Sequence, residues 1–151
     1  MSLRTQLFHL WFRISRPMTL GVRALAFDQN GRILLVKHTY VPGWHLCGGG
    51  VEPGETAVDA LRKELNEEAN VELVEEPFLQ SVHFNRAVSR RDHVLVYRCN
   101  GVTQTAPKQA DREILEARFF ALHELPDDLS SSSRTRIEEA LNRQQVSAFW
   151  S

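Results

Sequence analysis

"WHLCGGGVEPGETAVDALRKELNEEANV", residues 44–71, sets three consecutive glycines and a Pro-Gly turn directly ahead of a run dense in glutamate. Its first half has no period and is broken by Gly48, Gly49, Gly50, Pro53 and Gly54, so it reads as a loop. From Glu55 to Ala69 no Gly or Pro intervenes, and Ala57, Ala60 and Ala69 are good helix formers, which predicts a helix over 55–69. At about 100° per residue, Val58, Leu61, Leu65 and Ala69 share a face suited to docking on a sheet. Glu64, Glu67 and Glu68 share the neighbouring face, where Ala57 and Ala60 leave room for something to approach.

Three carboxylates at i, i+3 and i+4 repel one another, each pair costing a few tenths of a kcal/mol on an exposed helix. They also stand toward the C-terminal end, where the helix dipole disfavours negative charge. A hard divalent cation reverses the sign of that energy, because Mg²⁺ or Mn²⁺ takes oxygen ligands and is commonly shared with phosphate. The loop upstream offers backbone uncovered by side chains, and glycine permits the φ > 0 conformations that phosphate cradles use. The glycines lack the spacing of a dinucleotide fingerprint, and no lysine follows them as in a P-loop.

Outward from this stretch, "LGVRALAFD" (20–28) and "RILLVKH" (32–38) read as strands joined through "QNG" in a hairpin. "VELVEE" (71–76), "FLQSVHF" (78–84), "DHVLVYRC" (92–99) and "ARFFAL" (117–122) are further predicted strands. Residues 130–145 read as a helix, with Thr135 and Glu138 at capping-box spacing. The expectation is a single mixed α/β domain over 17–151, preceded by a separate helix over 1–16. In that helix Leu3, Leu7, Leu10, Trp11 and Ile14 recur at helical spacing until Pro17. Arg4, Arg13, Arg16 and Arg23 are its charges and neighbours, and no acid precedes Asp28. Two readings stand for it: a face packed on its own domain or on a twin subunit in a homodimer, or a membrane-surface anchor or organelle address.

The chain has 151 residues, 42% hydrophobic and 25% charged, with a net charge of -1. That excludes a disordered tail and a global field that would recruit nucleic acid. No apolar run reaches the roughly 18 residues of a spanning helix. Cys47 and Cys99 fit no zinc or redox spacing, so free thiols and a cytoplasmic setting are expected.

Gly49, Glu55, Glu64, Leu65, Glu67, Glu68 and Val71 stand in the register of the Nudix box, G-x5-E-x7-R-E-U-x-E-E-x-G-U, with U a bulky aliphatic. The chain therefore resembles the Nudix hydrolase family, with Lys63 in place of the arginine and Asn70 in place of the last glycine. Lysine keeps the charge but loses the planar fork, and asparagine is the next-best residue for a left-handed helix end. The resemblance implies an α/β/α sandwich with a mixed sheet. It also implies hydrolysis of a diphosphate linkage in a nucleoside diphosphate-X substrate with Mg²⁺ or Mn²⁺. Glu64, Glu67 and Glu68 would be ligands and catalytic groups, joined by the Gly48 carbonyl and by a distant acid, for which Glu113 is chosen over Glu116. Glu55 and Lys63 would support the loop. For the substrate, the candidates are Arg23, Trp44, Gly49, Gly50 and Arg91, with nucleic acid not expected as a partner. A catalytically weakened module that binds nucleotide or RNA as a sensor is the alternative.

Overall fold

Val22, Ala24 to Phe27 and Ile33 to Val36 are all buried, so these two runs are covered on both faces rather than one. The structure, a computed structural model, describes residues 1–151. Along the chain lie α1 (Leu3–Ser15), β1 (Thr19–Ala26), β2 (Ile33–His38), β3 (Trp44–His45), β4 (Gly48–Gly50) and α2 (Ala57–Ala69). There follow β5 (Val71–Glu72), β6 (Phe78–Phe84), β7 (Asp92–Cys99), β8 (Thr103–Gln104), β9 (Ile114–Phe120) and α3 (Ser131–Ala140). A mixed four-stranded sheet has the order β4-β1-β7-β6, with β1 parallel to β7 and antiparallel to β4. A second, antiparallel sheet has the order β3-β2-β9, and β5 pairs with β8 alone.

Strand alternation divides the side chains between two cores. Val22, Ala24, Ala26, Leu34 and Val36 pack with Ala60, Leu61, Leu65 and Ala69 of α2. Leu25, Phe27, Ile33 and Leu35 point the other way and pack with Trp44, Ile137 and Ala140. Sheets between α2 and α3 make the α/β/α sandwich.

The hairpin expected at 20–38 closes at its turn only. Asp28 Oδ1 accepts from the amides of Asn30 and Arg32, both at 2.9 Å, and Phe27 bridges Ile33. Beyond that bridge the strands part into different sheets, because each satisfies its edges elsewhere: β1 with β4 and β7, β2 with β3 and β9. The strand expected over 71–76 stops at Glu72, since Glu75 and Glu76 stay exposed before Pro77. The cap of α3 is Ser130, whose hydroxyl accepts from the Ser133 amide, while Thr135 donates back to the Ser131 carbonyl. Ala60, expected to leave open space beside the glutamates, is wholly buried in the α2 core. In α1 no residue is buried, so the helix does not pack its stripe on its own domain.

Candidate active site

The glycine loop is an edge strand. Gly48, Gly49 and Gly50 pair with Arg23, Val22 and Gly21, which draws β4 between β1 and the C-terminal half of α2. A Cβ on Gly48 would collide with the Val22 carbonyl, and one on Gly49 with the Glu64 carboxylate. Close approach of backbone requires glycine at Gly48, whereas a Cβ on Gly49 would have to displace the Glu64 carboxylate.

The helix is fixed at both ends. Thr56 and Asp59 form a reciprocal capping box, and Asn70 closes the C-terminus at φ 53°, its amide donating to the Asn66 carbonyl. That rotation buries Glu68 and leaves Glu64 half-buried and Glu67 exposed. Glu68 Oε2 accepts from the Gly48 amide at 3.0 Å, and Oε1 lies 2.9 Å from His38 Nε2. A carboxylate only accepts, so Nε2 carries the proton; His38 Nδ1 is buried without a partner. Burial, then the charges of Glu68 and Glu67, push the Glu64 carboxyl above its ordinary value. This is the crowding anticipated from the wheel.

Glu64, Glu67 and Glu68 line a cavity of about 300 Å³ together with Asp111, Arg112, Glu113 and Ile114. Lys108 helps to shape its far wall, donating to the Glu67 carbonyl at 2.8 Å and to Asp111 Oδ2 at 2.7 Å. Hydrogen bonds from Lys108 and from the amides of Ile114 and Glu113 hold the Asp111 carboxyl well below the usual range. Glu113 thus stands across the cavity from α2, whereas Glu116 lies on β9 paired to Arg118 at 3.4 Å. Lys63 donates to both oxygens of Glu55, at 3.2 and 3.3 Å, and Glu55 accepts from the Glu52 amide at 2.8 Å. That clasp ties the loop after β4 to the second turn of α2, and it holds the Glu55 carboxyl low.

The donors facing the cavity are hard oxygens, which suits Mg²⁺ or Mn²⁺. No three carboxylates, histidines or cysteines converge tightly enough to hold an ion by themselves. The arrangement therefore fits a cation that keeps waters and shares phosphate oxygens, rather than one caged by protein.

On the other side of Gly49 lies a larger cleft of about 710 Å³. Met18, Leu20, Val88 and Val94 give it apolar walls, and Arg23, Asn85 and Asp92 give it polar ones. Arg23 Nη1 is buried with no partner. Asn85 donates to Asp92 Oδ2 at 2.9 Å, and Thr19 donates to Asp92 Oδ1 at 2.6 Å. Gly49 and Gly50 line this cleft as well.

Two candidates are not brought in. Trp44 is 3% exposed, packed edge-on against Phe120 in the α3-side core, so its ring has no free face for a base. Arg91 lies outside the cleft and donates to the Pro17 carbonyl at 3.0 Å. Conversely, Asn85 and Asp92 carry no motif, and His38 stands out in the sequence only as the end of a strand near the glycines. Their placement depends on contacts 7 and 30 residues away in sequence.

The NUDIX domain profile matches residues 17–140. The human 8-oxo-dGDP phosphatase NUDT18 is 32% identical over 139 residues, covering 89% of this chain but only 42% of that protein. The chain thus spans less than half of that relative. A putative 8-oxo-dGTP diphosphatase of Bacillus subtilis is 44% identical over 50 residues, 33% of this chain and 34% of that protein. A MutT NUDIX hydrolase crystal structure from Burkholderia pseudomallei superposes with a TM-score of 0.66 at 29% identity, over 80% of this chain and 95% of that one. With the glutamates seated behind a glycine edge strand and the profile covering most of the chain, this protein belongs to the Nudix family.

Proposed function

We propose that the chain hydrolyses a diphosphate linkage in a nucleotide-like substrate with the help of Mg²⁺ or Mn²⁺. One observation carries this reading: a carboxylate cavity and a cleft holding an unpartnered arginine meet across a single glycine. Glu64, Glu67 and Glu68, with Glu113 and the Gly48 carbonyl, would hold the cation. When bound there, the cation would neutralise diphosphate oxygens and acidify a water. Arg23 supplies donors to a phosphate whose charge it matches, and its buried Nη1 needs such a partner. His38 and Gly48 each occupy one lone pair of a Glu68 oxygen, which fixes that carboxylate as a ligand, and Glu64 and Glu113 are the groups assigned to take the proton from the attacking water. Hydrolysis of a diphosphate asks little more than this positioning and charge stabilisation.

The apolar walls of the cleft and the carboxamide of Asn85 suit a base, and the names of the human and Bacillus relatives support an oxidised purine nucleotide as the first candidate. The test is product identification over 8-oxo-dGDP, 8-oxo-dGTP, ADP-ribose and a UDP-sugar, each with Mg²⁺ and Mn²⁺. Glu67→Gln and Glu68→Gln should each lose metal-dependent turnover while remaining folded, the exposed Glu67→Gln with its unfolding midpoint unchanged. Full turnover in both variants refutes the assignment. A panel with no turnover but tight nucleotide binding would turn the reading to a sensor module.

A further inference from the structure

The apolar stripe of α1 is left uncovered by the rest of the fold. Leu3, Leu7, Leu10, Trp11 and Ile14 are 52–71% exposed. On a helical wheel they fall within an arc of about 100°, with Phe8 continuing it on one side. The opposite face carries Thr5, His9 and Phe12, with Arg13 at its flank and the C-cap Arg16 stacked over the Phe12 ring at 4.7 Å. Arg4 sits at the border, where a long side chain lays its stem on apolar surface and lifts its charge to the polar side.

All the formal charge on this helix is positive, and the same sign continues onto the body of the protein. Arg16, Arg90 and Arg91 surround a hollow with Ser15 and Met18 just beyond the helix. Beside it Met18 and Val88 are 53% and 73% exposed. A short helix with large aromatic and aliphatic residues on one face and arginines flanking it is the pattern that lies in a lipid–water interface. It is not one that spans: no helix is long and apolar enough to cross a membrane.

We propose that α1 and the adjoining Arg16–Arg90–Arg91 patch bind an anionic lipid bilayer, with the helix lying in the headgroup plane. Charge decides between this and a second copy of the chain. A second copy could cover the stripe, but α1 carries no carboxylate, so a paired copy brings the arginines of the helix and of the adjoining patch no counter-charge. Anionic headgroups supply that counter-charge, first to Arg4 and Arg13 at the flanks of the stripe, while the stripe enters the acyl boundary. Met18 lines both the cationic hollow and the large cleft, so the cleft opens beside the docked surface.

Co-sedimentation of the full chain tests this, using vesicles of phosphatidylcholine alone and of phosphatidylcholine mixed with phosphatidylglycerol. The protein should pellet with the mixed vesicles, and high salt should release much of it. Leu7→Glu combined with Ile14→Glu should abolish pelleting; Arg13→Gln and Arg16→Gln should each weaken it about fivefold. Light scattering after size exclusion, run on the same samples, should give a monomer. Thermal unfolding midpoints of the variants, unchanged because the helix is unpacked, separate lost binding from lost folding. Equal pelleting with both vesicles, pelleting with neither, or retention by the Leu7/Ile14 variant overturns the proposal. So does a dimer that the Leu7/Ile14 variant breaks, which would give the stripe to a second copy. None of these readouts uses catalysis, so the hydrolase reading and this one fail separately.

Discussion

His38 and Glu68 are 30 residues apart and 2.9 Å apart, and the pair illustrates what a single residue does here. Glu68 arrives at the cavity with one oxygen turned to an imidazole and the other to the Gly48 amide. Its orientation is settled before any ligand arrives. Partners of this kind typically govern affinity or activity by roughly ten- to a hundredfold. His38→Ala should therefore raise the Mg²⁺ concentration needed for half-maximal turnover by about tenfold or more, with a smaller effect at saturating metal. A metal titration unmoved by the substitution would show that the Gly48 amide alone suffices. The glutamates were legible from sequence because a helix converts spacing into direction. His38, Asn85 and Asp92 were not, because their partners are brought by tertiary pairing. Trp44 stayed open for the same reason: an aromatic beside a glycine loop can stack on a base or pack beneath the loop, and the core behind it decides for packing.

At the scale of the element, α2 is the best-specified part of the chain. Its interior lacks breakers, its N-terminus closes with Thr56 and Asp59, and its C-terminus turns through Asn70 at φ 53°. Asn70 also donates its Nδ2 to the carbonyls of Ala106 and Pro107, at 3.4 and 3.3 Å. Asn70→Ala should lower stability by about 1–2 kcal/mol from the left-handed backbone, read as a fall in the urea midpoint. Asn70→Gly relieves the backbone and loses only the tether, so it should fall less. Equal losses would place the whole effect in the side-chain contacts. The glycine triplet shows the limit of element reading. Glycine has no strand propensity, and β4 exists because β1 offers it an edge, approaching Gly48 too closely for a Cβ. Nothing local announces that.

Across the whole molecule, the residues conveyed a single mixed α/β domain, the α/β/α sandwich came with the Nudix resemblance, and the division into two cores is seen only in the structure. The partner of each strand was not conveyed, since the turn at 28–32 is the same whether the strands pair or part. The sandwich is closed on the α3 side by a buried polar network. Arg136 donates to His83 Nδ1 at 2.8 Å, to the Phe149 carbonyl at 2.9 Å and to Glu139 at 2.9 Å, securing the C-terminal segment on β6. His83 Nε2 lies 2.7 Å from the Ser81 hydroxyl. Burial, then the Arg136 charge, pull the His83 pKa below its ordinary 6.5. The unfolded chain therefore binds a proton at a pH where the folded one does not. His83 should contribute full stability above pH 6.5 and lose it progressively as the pH falls below that value toward its folded pKa. His83→Gln, which can still accept from Arg136, should flatten this acid limb in unfolding midpoints measured from pH 7.5 to 5. An unchanged slope would remove His83 as its source.

The parallel pairing of β1 with β7 joins Thr19 to Asp92 and Ala26 to Cys99. During synthesis, one side of β1 thus stays an open edge until about 70 further residues have left the ribosome, and the apolar run from Ala24 to Phe27 waits with it. A nascent chain halted before Cys99 would offer that edge to any neighbouring strand, which makes the first hundred residues the stretch most in need of chaperone cover.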